Sequence, residues 1–250
     1  MESGFILDEA QAKIFEIAQN RQAVSYKSVK ELLPETIQTI EKLFKNKNAY
    51  TGVPSGLPDL DSMTSGFQNS ELVIIGARPS VGKTALAMSM AAHIAVRERR
   101  SCAFFSLEMA DMAIMQRLIA SEARIASEKI RSGLIKPSDF NALMEAAGRI
   151  YEAPLYIIDM PNMKLLDLRT LARRLRAERG VEIIFIDYLT LVTHENAELP
   201  RWEQISSISR SLNTLARDIR IPVVPLSQLK REAECKQPTI ADLRESGSIE

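Results

Sequence analysis

Ala77-Arg78-Pro79-Ser80-Val81-Gly82-Lys83-Thr84 lies between a short apolar run, Leu72 to Ile75, and a helical stretch, Thr84 to Val96. With alanine at its first position and Gly76 just before it, the segment matches a phosphate-binding loop set between a strand and a helix. Such a loop turns sharply, so that successive backbone N–H groups point at phosphate oxygens. Gly82 permits close approach, and the N-terminus of the next helix adds the positive end of its dipole. The whole stretch from Ala77 to Thr84 is therefore a candidate phosphate cradle. Within it, Lys83 is expected to reach the β and γ phosphates of a nucleotide, and the Thr84 hydroxyl to hold Mg²⁺.

Outward from this loop, strands and helices alternate. Ser101 to Ser106, Leu155 to Ile158, Ile183 to Ile186 and Val223 to Leu226 read as further strands. Met109 to Ala126, Leu165 to Arg179 and Arg201 to Asp218 read as helices, with a polar, helical stretch from Ser127 to Tyr151. The alternation implies an α/β fold, a mostly parallel sheet with helices on both faces. The chain stops at Glu250 without a turn or cap, so the sheet is expected to be incomplete on that side.

Ligands of such sheets collect beyond the carboxyl ends of the strands. Asp187, closing the apolar Ile183-Ile184-Phe185-Ile186, is therefore expected to face the phosphates and steady Mg²⁺ through water. Glu108 follows Ala103-Phe104-Phe105-Ser106 and is expected at the same edge, one strand along from the loop, where a carboxylate can orient a water and accept its proton. The competing reading is an ordinary acid at a helix start. Gln228, after Val223 to Ser227, is placed to sense a γ-phosphate; a hydrogen-bonding turn residue is its alternative. Met109, Met112 and Met115 read as gap-filling core residues, and Trp202 as a packing residue.

Lysine plus arginine and aspartate plus glutamate number 32 each, so any contact with nucleic acid must come from a local basic cluster and not from net charge. Cys102, Cys235, His93 and His194 are isolated from one another, which provides no zinc-ligand spacing and reads as reduced thiols. The segment from Met1 to Leu7 lacks the basic start of a signal peptide. No apolar run approaches the ~20 residues of a membrane span, so the expected location is cytoplasmic. Toward the N-terminus, Leu7 to Arg21 reads as an amphipathic helix, and Glu35 to Phe44 as a second one burying Ile37, Ile40, Leu43 and Phe44. A domain boundary is expected near Asn46, dividing residues 1–46 from 47–250. The first helix either folds back on its own domain or docks on another copy.

Taken in order, Gly52-Val53-Pro54-Ser55-Gly56, Leu60-Asp61, Ala77 to Thr84, Ser106-Leu107-Glu108-Met109, Ile186-Asp187-Tyr188-Leu189, Ser227-Gln228-Leu229 and Asp242-Leu243-Arg244-Glu245-Ser246-Gly247 resemble the RecA-like motor domain of the bacterial DnaB-type replicative helicases. The resemblance implies an ATP- and Mg²⁺-dependent homohexameric ring that encircles single-stranded DNA and moves 5′ to 3′. It also implies a linker helix docked on the neighbouring subunit, and primase and a helicase loader as partners. Arg244, Glu245 and Gly247 would lie in the DNA-facing loop, tracking phosphates without reading bases. Thr190 stands where the family usually has glutamine, Asn213 where it has lysine, and Lys230 to Pro238 is shorter than usual; all three bear on the implied DNA or subunit side. By the same resemblance an arginine finger and the last strands belong beyond Glu250, and a primase-meeting domain before Met1. A RecA- or RadA-like recombinase and a non-catalytic nucleotide-binding module are the alternatives.

Overall fold

A strand that leads into a helix can pair with the next strand only after the helix has carried the chain back across a sheet face, so the alternating pattern builds a parallel sheet. The computed structural model describes residues 28–45, 50–196 and 198–229, and the chain divides into two units, Met1–Ala49 and Tyr50–Glu250.

In the first unit, α1 (Val29–Lys45) begins six residues before the predicted start at Glu35. Pro34 disfavours helix in the residue before it, which hides the true start. The start is set by a capping box, in which Ser28 Oγ accepts from Glu31 N–H at 3.3 Å while Glu31 Oε2 accepts from Ser28 N–H at 2.8 Å. Ile37, Ile40 and Phe44, expected to be buried, are exposed, as are Val29, Leu32 and Leu33. The stripe has no cover among the described residues. The predicted helix at Leu7 to Arg21, the side chain of Leu43 and the boundary residue Asn46 lie outside the described residues.

The second unit contains α2 (Pro58–Thr64), β1 (Ile75–Ala77), α3 (Lys83–Ala92), β2 (Cys102–Ser106), α4 (Asp111–Ala123), α5 (Ser127–Ser132), α6 (Pro137–Tyr151), β3 (Leu155–Asp159), α7 (Leu165–Arg179), β4 (Ile183–Asp187), α8 (Arg201–Ile219) and β5 (Val223–Gln228). The strands form one parallel sheet in the order β1-β5-β4-β2-β3. Alternate residues of a strand face opposite sides. Thus Ala103, Phe105, Ile184 and Ile186 pack under α7 and α8 with Leu168, Ile208 and Leu212. Phe104, Phe185, Val224 and Leu226 pack under α3, α4 and α6 with Ala91, Ile94, Ile114 and Ile150. Phe185 stacks on Phe104 and meets Phe67 edge-on, each at 6.2 Å between centroids, the geometries aromatic quadrupoles favour.

The structure moves several sequence-based expectations. The first strand was read at Leu72 to Ile75, but continuous pairing covers Ile75–Ala77, and Leu72 keeps only an isolated bridge to Val223. Proline is the cause. Val223 N–H bonds Glu71 O and Leu229 N–H bonds Ala77 O, each at 3.0 Å, so Pro225, in the same phase of β5, faces this strand where a donor is missing. The stretch from Ser127 to Tyr151 is two helices, parted at Gly133 in a left-handed conformation, and α2 was not foreseen. Met109 and Met115 are partly buried against the core as expected, whereas Met112 is exposed, as is Trp202.

The block from Gly52 to Asp61 proves structural. Buried Asp61 accepts Ser55 N–H at 2.7 Å and Gly56 N–H at 3.1 Å, and a Cβ at Gly56 would lie 2.4 Å from Cγ of His93. Among the described residues no helix is long and apolar enough to cross a membrane.

Candidate nucleotide-binding site

The register brings the strand ends level. Ser106 pairs with both Asp159 and Asp187, and Ala77 with Gln228, so whatever follows these strands emerges at one edge of the sheet. Glu108 emerges there too, but not one strand along from the loop: β5 and β4 stand between β1 and β2. Periodicity carries no information on strand order.

Between β1 and α3 the chain takes the left-handed region at Ser80 (φ 63°) and Gly82 (φ 96°). Gly82 is required by its dihedral and not by crowding, since a Cβ there would meet nothing within 4 Å. Gly82→Ala is expected to lower the stability of the folded chain by about 1–2 kcal/mol, the strain of a left-handed L-residue. An unchanged urea midpoint would show that the loop relaxes without cost.

A cleft of about 500 Å³ opens at this edge, lined by the loop from Arg78 to Ala85 with Glu108, Met109, Arg117 and Gln228. Of the predicted cradle, Ala77 and Val81 do not line it. Ala77 belongs to β1, and Val81 is exposed. Arg78, Pro79, Ser80, Gly82, Lys83 and Thr84 do line it. Thr84 Oγ1 donates to Asp187 Oδ2 at 2.6 Å. Asp187 is buried, and its Oδ1 accepts no hydrogen bond among the described residues; Lys83 Nζ stands 3.7 Å from it, an ion pair too long for a hydrogen bond. Burial pulls the Lys83 ammonium below its ordinary pKa, opposed by the charges of Asp187 and Glu108. Lys83 Nζ also lies 3.9 Å from the centre of the Tyr188 ring, a cation–π contact.

Glu108 is exposed at the cleft, on a turn pinned from two sides. Leu107 N–H donates to Asp187 O at 2.8 Å. Ser106 Oγ accepts Met109 N–H at 3.2 Å and donates to Met109 O.

Arg117, Met109 and Tyr188 were missed from sequence. Arg117 sits on α4 between the buried Ile114 and Leu118, a cation whose direction only the packing of that helix reveals. Tyr188 follows the strand-end aspartate directly, the one signal that could have pointed to it. Thr190 lies in a 3₁₀ turn, and its carbonyl accepts from Arg201; Asn213 is exposed on α8. Arg244, Glu245, Gly247, the segment from Lys230 to Pro238 and Cys235 lie outside the described residues. Cys102 is buried, and His194 bonds Ser207 Oγ at 3.0 Å.

A strand–loop–helix cradle with lysine, threonine and a strand-end aspartate joined at its mouth, on a sheet of this order, defines a P-loop protein of the RecA-like class. A solved structure of an isolated ATPase domain has the same fold, with a TM-score of 0.82 at 34% identity over 89% of this chain and 80% of that one. A DnaB-like replicative helicase, from a structure describing its interactions with primase, gives 0.79 at 33% identity over 96% of this chain and 58% of that one. The replicative DNA helicase DnaB of Treponema pallidum is 51% identical over 245 residues, 98% of this chain and 56% of that protein. That of Geobacillus stearothermophilus is 42% identical over 249 residues, 98% and 55% respectively. The chain thus spans about half the length of these curated relatives. Residues 52–250 match the DnaB-like helicase C-terminal domain, and the chain belongs to that family.

Proposed function

We propose that the chain is the ATP-hydrolysing motor of a replicative DNA helicase, working between neighbouring copies of a hexameric ring that moves 5′ to 3′ on single-stranded DNA. The observation that carries this reading is the convergence of Lys83, Thr84, Asp187 and Glu108 on one cleft at the carboxyl edge of the sheet.

In this reading the N–H groups of the loop and of the first turn of α3 hold the phosphates, and Lys83 neutralises the β and γ oxygens. Glu108 orients a water and accepts its proton as the water oxygen bonds to the γ phosphorus. The bond to the β–γ bridging oxygen breaks, leaving ADP and inorganic phosphate. Gln228, level with Ala77 on β5, senses loss of the γ-phosphate. The site's donor set suits Mg²⁺: a threonine hydroxyl, and a buried carboxylate with one oxygen accepting no hydrogen bond among the described residues. Thr84 and Asp187 would hold the ion, Asp187 through water, and its charge would offset that building on the phosphate oxygens.

Residues 1–46 would form the linker, docking on the next copy, and residues 47–250 the motor. Arg244, Glu245 and Gly247 would meet the DNA backbone. Primase, which the solved relative is described with, and a loader would join the assembly. The test is phosphate release by the chain with and without single-stranded DNA at low salt, together with electron microscopy. Stimulation and closed six-fold rings are expected. A flat response would leave a nucleotide-binding module, and open filaments would point to a recombinase. Arg244→Ala is expected to weaken binding to single strands of any sequence and to lower the slope of log K against log salt by about 0.7. An unaltered slope in an anisotropy titration would remove Arg244 from the DNA contact.

A further inference from the structure

Past Met109 and Arg117 the nucleotide cleft adjoins a second cavity, of about 340 Å³, which shares those two residues and is completed by Gln116, Ser127, Glu128 and Arg131 among others. Arg117, on α4, and Arg131, on α5, are both exposed. Neither makes an ion pair or hydrogen bond among the described residues, whereas Arg97, Arg99, Arg100, Arg149 and Arg173 are each tied to a carboxylate. Two uncommitted guanidinium groups on the wall of one cavity are a fitting pair of forks for a tetrahedral oxyanion. Gln116 and Ser127 add neutral donors.

We infer that this cavity is an exit subsite for inorganic phosphate. The inference rests on the ATPase reading above. The glycine-containing loop and Lys83 hold the proximal phosphates, and the terminal phosphate then lies toward Glu108, Met109 and Arg117. After cleavage it passes from Lys83 to Arg117 and on to Arg131, with Met109 at the junction of the two spaces. Glu128 lines the same cavity, and its carboxylate repels the anion. A site for release must hold its ligand weakly, and one carboxylate facing two arginines gives it that property. The sign of each charge thus fixes the sign of each substitution.

The test measures hydrolysis by the full chain with inorganic phosphate or ADP added as product inhibitor. Arg131→Ala is expected to weaken inhibition by phosphate roughly fivefold to tenfold, as the loss of a hydrogen bond to a charged group does. Arg131→Lys should recover part of the effect. Glu128→Gln is expected to act in the opposite direction, tightening phosphate inhibition severalfold. In all of them the inhibition constant of ADP should stay within about a factor of two, since ADP is held by the loop. Phosphorus-31 line broadening of added phosphate should follow the same order. It also reads the cavity if the chain hydrolyses nothing, so that failure of the ATPase reading is told apart from failure of the subsite. Wild-type insensitivity to phosphate in both assays would overturn the proposal. So would equal shifts for phosphate and ADP, or a change in ring assembly with phosphate inhibition unmoved.

Discussion

Glu108→Gln is expected to leave ATP bound and to slow its hydrolysis by ~10²–10⁴-fold, the usual loss when a positioned base is removed. Glutamine has nearly the same shape and can still hydrogen-bond a water, but it cannot accept the proton that the attacking water must shed. The turn should survive the change. Its anchors are Leu107 N–H on Asp187 O and the paired contacts between Ser106 and Met109, none of which uses the Glu108 carboxylate. The loop and Lys83, which supply the grip on the phosphates, are left in place, so the loss falls on kcat while nucleotide affinity changes little. Phosphate-release kinetics beside a titration with fluorescent ATP separate the two quantities. Undiminished turnover in the glutamine variant would take Glu108 out of the mechanism and leave a charge beside Lys83 as its whole role. A fall in affinity matching the fall in rate would point to a collapsed turn.

Much of this site was legible in the sequence because its parts are local. A loop between a strand and a helix, an acid at the end of an apolar strand and an amide at the end of another each announce themselves within a few residues. The shared edge follows from the parallel sheet, since parallel strands end on the same side. What stayed hidden depends on distant pairing. The place of β2, beyond β5 and β4 from β1, is set by hydrogen bonds between strands. The shortening of β1 depends on Pro225, far along the chain. Arg117 is one more charged residue on an amphipathic helix until packing of Ile114 and Leu118 turns it to the cleft. The stripe on α1 is a different case. Its apolar spacing correctly signals a surface that wants cover, but spacing does not say from which molecule the cover comes.

Lys83→Ala is expected to weaken ATP binding by about 10²–10⁴-fold, since one ammonium reaching two phosphates makes two charge-assisted hydrogen bonds of about 1.5–3 kcal/mol each. Stabilisation by ATP, about 2.7 kcal/mol at a hundred times Kd, should then disappear at the concentration that protects the wild type. Removing the lysine also leaves the Asp187 carboxylate buried with Thr84 as its remaining partner, so the unliganded variant must be shown to melt cooperatively before lost binding is read as lost contact. The pH profile gives a separate signature. Burial holds the Lys83 pKa below its ordinary value in the unliganded fold. Between that lowered value and the ordinary one, the unfolded chain carries the proton and the folded chain does not, so this group makes the unliganded fold more stable as pH rises through the window. A bound triphosphate favours the ammonium and raises its pKa again. Binding in the window therefore takes up a proton, and ATP affinity falls as the solution becomes more alkaline. Lys83→Arg, whose guanidinium keeps its charge throughout, should flatten that fall even where the bulkier head weakens binding overall. Calorimetry in buffers of different ionisation heat measures the proton directly. If no uptake appears and the alanine variant binds ATP as the wild type does, Lys83 is not the group that grips the phosphates.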